Sequence, residues 1–598
     1  MKKIFKYMAC LAVGAVVTST TLISCADQLE EEFYNPDKVT EADFSLFFAS
    51  TLTQGHLFRY DYGATYHYMR GFGKMLGIGA SCSYIYAPTN YSIVEPWTGW
   101  SGEPFNSFVF EKTNVNYSKD INAMKLLYQS MSEEEKASNE VYILCSDIVQ
   151  CYAFQRSTDL YDDIPYFEVG GAFQEKFYAK YDSQEDIYTD ILSRLSNAAT
   201  KLAAFNFKND ADKVKFASTD LLCKGDLDLW IRMANSLRLR MAMRLCHVDE
   251  TTSKAIIKEL VSGNKMLTEH AHNIGFEEKD KTHAFEVTFF RGLDERGYEA
   301  GAPRYFIETI MNYQVGDEKK EGKAGHEFDP RLYAMFQPDV NGNYVGLPLV
   351  LISDGNESDT YMKKYYTEKQ LTDMYAVNDA VSGPWDVNRI CTQYNRRTYF
   401  NFDMQFPVMH STETNLLLVE AATRWPSDFG TIDVASCIKK AIDSSTRFYY
   451  ETNSSNTYGP SSTPSIQHLK ENATAPSMSS MEAHLADYTQ FAADKFASLT
   501  TMKDKLQFIF DQKMLDMNIL NPYEIYNEAR RLVKDFDGEL PFLSTPNVVF
   551  QERMYYPANE LTNNPDNFAK VAHKNNHTTP VWWTGRTTTA TNKNGNVW

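Results

Sequence analysis

The sequence predicts a mainly α-helical protein with a loop-rich stretch in its middle, and three observations lead there. Apolar residues recur at three- and four-residue steps over several segments of ordinary helix length before residue 250 and again after residue 410. A helix-start residue, Ser183, stands directly before one of these segments. Between about 265 and 405 the period weakens, and Gly, Asp, Asn and Pro become frequent.

The elements follow in chain order. Residues 26–38 are acidic and include Asn35-Pro36, so they read as a flexible tether, with the body of the protein beginning near Thr40. Glu140 to Ser157 carries apolar residues around most of its circumference, as a buried helix does. Gln184 to Ala204 is amphipathic, with Ile187, Ile191, Leu195, Ala198 and Leu202 on one face. Asp226 to Leu245 sets Trp230, Ala234, Leu237 and Met241 on one stripe, with Arg232, Arg238, Arg240 and Arg244 largely off it. Irregular loops and short strands are expected in the middle, where Asn341-Gly342-Asn343 and Ser382-Gly383-Pro384 signal turns. Helical periodicity returns at Ser411–Arg424, Ala435–Tyr450 and Lys503–Asn518. Asn453 to Ser480, rich in Ser, Thr, Asn and Pro, reads as a long surface loop, and the chain from Gly538 reads as non-helical. Successive helix pairs suggest helix-turn-helix repeats without a clean consensus.

The N-terminus is read as an export signal. Lys2, Lys3 and Lys6 precede an apolar run from Met8 to Val17 that is too short to span a bilayer. Leu22-Ile23-Ser24-Cys25 then resembles the lipobox at which bacterial lipoproteins are cleaved and acylated. The expected organisation is therefore a signal peptide over 1–24, a lipidated tether over 25–39 starting at Cys25, and a body over 40–598 whose length alone would suggest several domains. The alternative is an ordinary secretory signal with an incidental cysteine. The acidic start after Cys25 (Asp27, Glu30, Glu31, Glu32) resembles the signal that sends such lipoproteins to the outer face of the outer membrane.

Charge narrows the partners. The chain carries −19 at pH 7, and removing residues 1–24 takes three lysines and no acid, leaving −22. With no basic stripe, a nucleic acid is a disfavoured ligand. Of nine cysteines, seven lie beyond Cys10 and Cys25; that odd number, with no Cys-x-x-Cys pair, reads as buried free thiols.

Signatures of catalysis are missing. There is no His-Glu-x-x-His and no Gly-x-Ser-x-Gly, Asp162 and Asp163 are merely adjacent, and neither a cofactor nor a metal is implied. Aromatic residues, at 14%, supply the candidate binding chemistry. A sugar ring offers an apolar C–H face and an edge of hydroxyls, which an aromatic platform ringed by amides and carboxylates recognises; peptide side chains use similar platforms. Tyr84, Tyr86, Asn90, Tyr91, Trp97 and Trp100, spread through a Pro/Gly-containing loop, fit that recipe best. Trp385 and Asp386, with Asn388, Tyr394 and Arg396, form a second candidate group, and Tyr60, Tyr62, Tyr66 and Tyr68 a third. In each case the aromatic rings could instead pin a loop to the core. Trp582-Trp583 reads as a clasp for the tail.

From Thr158 onward a set of short motifs recurs in a familiar order: Thr158-Asp159-Leu160-Tyr161 with Ile164-Pro165-Tyr166; Tyr181-Asp182-Ser183-Gln184-Glu185; Ala234-Asn235-Ser236-Leu237-Arg238 with Arg240 and Arg244; Asp329-Pro330-Arg331-Leu332; Glu413 with Glu420-Ala421-Ala422; Gln512-Lys513; Glu524 with Arg530-Arg531; and Tyr556-Pro557 with Glu560 and Asn564. Together with the lipobox they resemble the SusD/RagB family of outer-membrane nutrient-binding lipoproteins. One departure is Tyr526, where the family often has Trp two positions after the glutamate. The resemblance implies one SusD-like binding domain over 40–598, a fold of tetratricopeptide-like helix pairs supporting a loop-rich ligand face with short strands. It further implies a non-enzymatic protein that captures an oligosaccharide, or a peptide, and passes it to a SusC-like TonB-dependent transporter. A surface glycan hydrolase is the rival expectation. The arginines of the long helices could clamp an anionic ligand, but among so many carboxylates they are expected to form ion pairs.

Overall fold

The computed structural model describes residues 44–53, 76–79, 110, 118–171, 177–276, 301–317, 327–339, 341–348, 357–375, 391–399, 401, 403–456, 474–541 and 550–591. Among these, helices of ten or more residues dominate. They are α1 (Phe44–Thr53), α2 (Ser118–Ser130), α3 (Glu133–Tyr161), α4 (Gln184–Ala204), α5 (Asp210–Thr219), α6 (Leu227–Arg244), α7 (Glu250–Gly263), α8 (Ser411–Arg424), α9 (Val434–Ser455), α10 (Met478–Ser498), α11 (Met502–Met517) and α12 (Pro522–Leu532).

Local chemistry sets their ends. Ser132 and Glu135 form a reciprocal capping box at the start of α3, where Glu133, Glu134 and Glu135 also face the positive end of the helix dipole. Ser183 caps α4 by accepting the Asp186 N–H at 3.1 Å. Asp226 caps α6 through the Asp228 and Leu229 N–H groups, and Pro522 occupies the first turn of α12, where its missing N–H costs nothing.

Packing then builds two helix stacks. In the first, α3 packs on α4, α4 on α6 and α6 on α7; in the second, α8 packs on α9 and α11, α9 on α10, and α11 on α12. Contact between α6 and α8 joins the stacks. Leu239, Met243, Ile257, Leu260 and Leu417 form an apolar cluster along that seam, while Leu416, Ile438, Ile442, Leu485 and Phe496 fill the space between α8, α9 and α10. Burial of such side chains contributes about 1.5–3 kcal/mol each before entropy is counted.

Strands are short and antiparallel. Ile164–Pro165 (β1) pairs with Tyr181–Asp182 (β2), Ile274–Phe276 (β3) with Phe406–Met409 (β6), and Phe336–Gln337 (β4) with Gln393–Tyr394 (β5). They brace loops and do not form a core sheet.

Three expectations need correction. The loop expected over Asn453–Ser480 is narrower, because α9 runs to Ser455 and α10 begins at Met478. Thr452 and Asn453 stay helical since they are buried, and the Asn453 amide donates to Thr398 Oγ1 at 2.9 Å. Tertiary bonds there outweigh weak helix propensity. Beyond Gly538 the chain does form short helices, Glu560–Asn563 and Pro565–Val571. The middle contributes helices as well, Glu357–Met362, Glu368–Tyr375 and a π-helical turn at Tyr305–Ile310, too short for a periodic signal. On α6, Arg238, Arg240 and Arg244 are buried along with the apolar stripe, so this helix is enclosed on both faces.

Cys145, Cys151, Cys223, Cys246 and Cys391 are buried and Cys437 is half-buried, all of them outside any disulfide among the described residues. Burial pushes the Cys151 thiol up to about 12, far from a reactive thiolate. Among the described residues no helix is long and apolar enough to cross a membrane, and no group of three metal-ligating side chains occurs.

Candidate ligand-binding face

One small seam gathers several loops. The Tyr394 hydroxyl in β5 donates to the Ile78 carbonyl at 2.5 Å, and β5 pairs with β4 through Phe336 opposite Tyr394. The Ala302 N–H donates to the Thr392 carbonyl at 3.0 Å, and Leu347 exchanges bonds of 2.7 Å with Ala302 and Arg304. That close approach requires glycine at 346, where a Cβ would lie 2.5 Å from the Arg304 Cα. Gly79, Gly301, Pro348 and Cys391, the residues next to stretches 80–109, 277–300, 349–356 and 376–390, therefore all flank the same seam.

The seam rests on the helical scaffold. The π-helical turn directly after Arg304 sends the Tyr305 hydroxyl to Asp511 on α11 at 3.0 Å. Burial pushes the Asp511 carboxyl up to about 7, with hydrogen bonds from Gln507 and Tyr305 pulling the other way. Arg304 lies 4.2 Å over the Tyr361 ring and bonds Glu308 at 2.9 Å. Phe110, the described residue that follows stretch 80–109, packs edge-on to Tyr161 and Tyr556. Rigid anchors of this kind are what loop-borne binding residues need.

Tyr84, Tyr86, Asn90, Tyr91, Trp97, Trp100, Trp385 and Asp386 lie outside the described residues, as do Cys25, Asn388 and the cluster Tyr60, Tyr62, Tyr66 and Tyr68. The described members of the second candidate group are corrected: Tyr394 and Arg396 are buried, and Tyr394 serves as a staple.

The long-helix arginines are structural. Arg240 makes a bidentate pair with Glu413 at 2.7 and 2.5 Å and reaches Glu524 at 3.5 Å. Arg244 bridges Asp159 and Glu524, and Tyr188 and Gln155 donate to the same Asp159 carboxylate. Arg531 takes Glu420 at 2.6 and 2.7 Å and Glu528 at 2.7 Å, with Lys513 2.7 Å from Glu528. Burial opposes charge on Glu420, yet Arg531, Arg424 and Lys513 hold it at about 2. Arg530 donates to the Asp159 and Glu552 carbonyls and stacks over Tyr526 at 4.0 Å. Each guanidinium is thus engaged within the fold, and none is presented to a ligand.

Other residues singled out in the sequence are likewise absorbed by the fold. Asp329 and Arg331 form a buried pair that reaches Gln512 and Ser445, closing a turn. Asp162 and Asp163 share Lys574 at 2.9 and 2.7 Å, and Asp162 also accepts the Trp582 N–H. Trp583 is fully buried, with its backbone N–H donating to the Gln184 side-chain oxygen, so the tryptophan pair does clasp the C-terminal segment onto α4.

A family model described as "Starch-binding associating with outer membrane" matches residues 87–557. The chain belongs to this SusD-like family. Solved SusD-like structures share its fold. A SusD/RagB family protein from Bacteroides thetaiotaomicron, 16% identical, aligns over 91% of this chain and 99% of its own with a TM-score of 0.60. A chitin-binding protein, 20% identical, covers 90% of this chain and 99% of its own at 0.58. A chitin-binding SusD homologue from Flavobacterium johnsoniae, 16% identical, covers 90% and 98% at 0.54. No curated protein matches the sequence.

The SusD-like fold explains why sequence reading missed one feature. A polar pocket opens between α2, α3, α4 and the turn after β1. Its residues come from distant parts of the chain, and no linear motif marks it.

Proposed function

We propose that the protein is a lipid-anchored, non-enzymatic surface subunit that binds an oligosaccharide and delivers it to a SusC-like TonB-dependent transporter in the outer membrane. The observation that carries this reading is the match of residues 87–557 to a family described as starch-binding and outer-membrane-associated. Two of the solved SusD-like relatives are described as chitin-binding, which favours a glycan over a peptide. The seam at Tyr394 adds a physical reason: both stretches that carry the aromatic candidates, Tyr84 to Trp100 and Trp385-Asp386, adjoin it. In the proposed organisation residues 1–24 are removed, Cys25 carries the lipid, 25–39 form the tether, and 40–598 form one binding unit. The tether keeps capture and import together by raising the local concentration at the transporter, so modest affinity suffices.

The test uses the chain without residues 1–25 on a glycan and peptide array. Saturable glycan binding, weakened at least about tenfold by Trp97→Ala or Trp100→Ala, is expected. Shortened array members would replace this reading with a hydrolase, and peptide-only binding would move it to peptide uptake. In cells, Cys25→Ala should abolish growth on the cognate glycan while binding in solution persists.

A further inference from the structure

Away from the seam, the pocket between α2, α3 and α4 has a volume of about 260 Å³. This lies below the roughly 300–1,000 Å³ of pockets for drug-sized molecules, and suits one small ring. Its floor is preorganised. Arg194 bonds the Asp147 carboxylate at 2.5 Å, Gln150 at 2.6 Å and the Tyr166 hydroxyl at 2.6 Å. Lys125 reaches the same Asp147 and Gln150 at 2.7 and 2.9 Å, which uses two of its three N–H donors. Tyr166 in turn donates to Asp190 at 2.6 Å. One wall is fixed by Gly170, whose positive φ and 2.0 Å approach of its would-be Cβ to Asn122 Nδ2 demand glycine.

The rim adds an apolar plate. Phe167 is 56% exposed, and its ring meets Tyr166 edge-on at 4.8 Å, while Tyr166 meets the buried Phe154 at 4.7 Å. An exposed ring fixed at the mouth of a polar pocket carries a solvation cost that a ligand's apolar face would relieve. Gln129, an exposed residue, lines the same pocket.

Charge excludes one class of ligand. Lys125 and Arg194 are balanced by Asp147 and Asp190, with Glu168 adding a further carboxylate that Lys180 pairs at 2.9 Å. Among the described residues no surplus cation remains to attract phosphate or carboxylate. What the walls offer is a mixture of donors and acceptors beside an aromatic face, the complement of a neutral pyranose. We propose that this pocket is a second carbohydrate site, taking a single neutral hexose unit stacked on Phe167 and hydrogen-bonded by Gln129, Asn122, Lys125 and Asp190. It shares its ligand class with the proposed function but none of the residues.

Hydrogen–deuterium exchange on the chain without residues 1–25 tests the site, with glucose, N-acetylglucosamine, maltotriose and chitotriose at millimolar concentration as probes. At least one probe should protect segments 118–130 and 166–171. Phe167→Ala and Gln129→Ala, both at exposed positions, should weaken that protection at least about tenfold in apparent affinity with an unchanged melting temperature. Trp97→Ala should leave it intact. Protection absent from both segments with every probe, or undiminished in Phe167→Ala, overturns the inference. Protection confined to residues near Ile78 and Phe110 would support the loop face and overturn the second site.

Discussion

The buried charge cluster at the centre of the helix stacks and the charged floor of the α2–α3–α4 pocket use the same chemistry under different burial. In the centre, Arg244, Asp159 and Glu524 are 0%, 0% and 2% exposed at the side chain, and carboxylates from three different helices enclose Arg240 and Arg244. In the pocket, Lys125 and Arg194 keep 30% and 21% exposure around Asp147. Residue type is the same in both places. Enclosure decides whether a cation only holds helices together or, as with Lys125, is left with surface to offer a ligand.

The comparison is sharpest where the centre is cut. Glu524→Gln removes one of the two carboxylates that hold Arg244 and weakens Arg240 in a fully buried site, so unfolding free energy should fall by about 3–5 kcal/mol in urea denaturation. A loss comparable to that of a surface pair would break the distinction.

Acid titration reads the same contrast. Glu420 is held at about 2 against an ordinary 4.5, so its contribution is complete above pH 4.5 and is lost as pH falls toward 2. The melting temperature should decline through that window, and Glu420→Gln, already less stable at neutral pH, should decline less steeply. Equal slopes for the two proteins would remove Glu420 as a source of acid sensitivity.

Tyr394→Phe leaves the buried Ile78 carbonyl without its donor, which should cost about 1–2 kcal/mol and weaken glycan binding at the loop face. Unchanged binding with lowered stability would detach the staple from ligand capture. Ser183→Ala should cost about 1 kcal/mol through the lost cap of α4. Smallest is Lys125→Met in the pocket, expected to change stability by less than about 1 kcal/mol, since water replaces much of what the ammonium loses.

Much of the scaffold was legible in the residues. The 3.6-residue period placed α4 and α8 at their observed bounds and Ser183 at the observed cap, because these signals depend only on neighbours in sequence. Helix α10 and the short helices after Gly538 escaped notice, since their stability comes from what they pack against. The arginines of α6 were expected off the buried stripe, and only the approach of α8 and α12 turned that face inward.

The family and the helical class were thus determined by the sequence itself, through ordered motifs and local periodicity. Which arginines are structural, that Tyr394 ties β5 to Ile78, and that Asn122, Gln150, Phe167 and Arg194 line one pocket were decided by tertiary structure alone. The physical reason is separation along the chain. Periodicity and capping act within a few residues, whereas enclosure of a charge and closure of a pocket depend on segments tens to hundreds of residues apart.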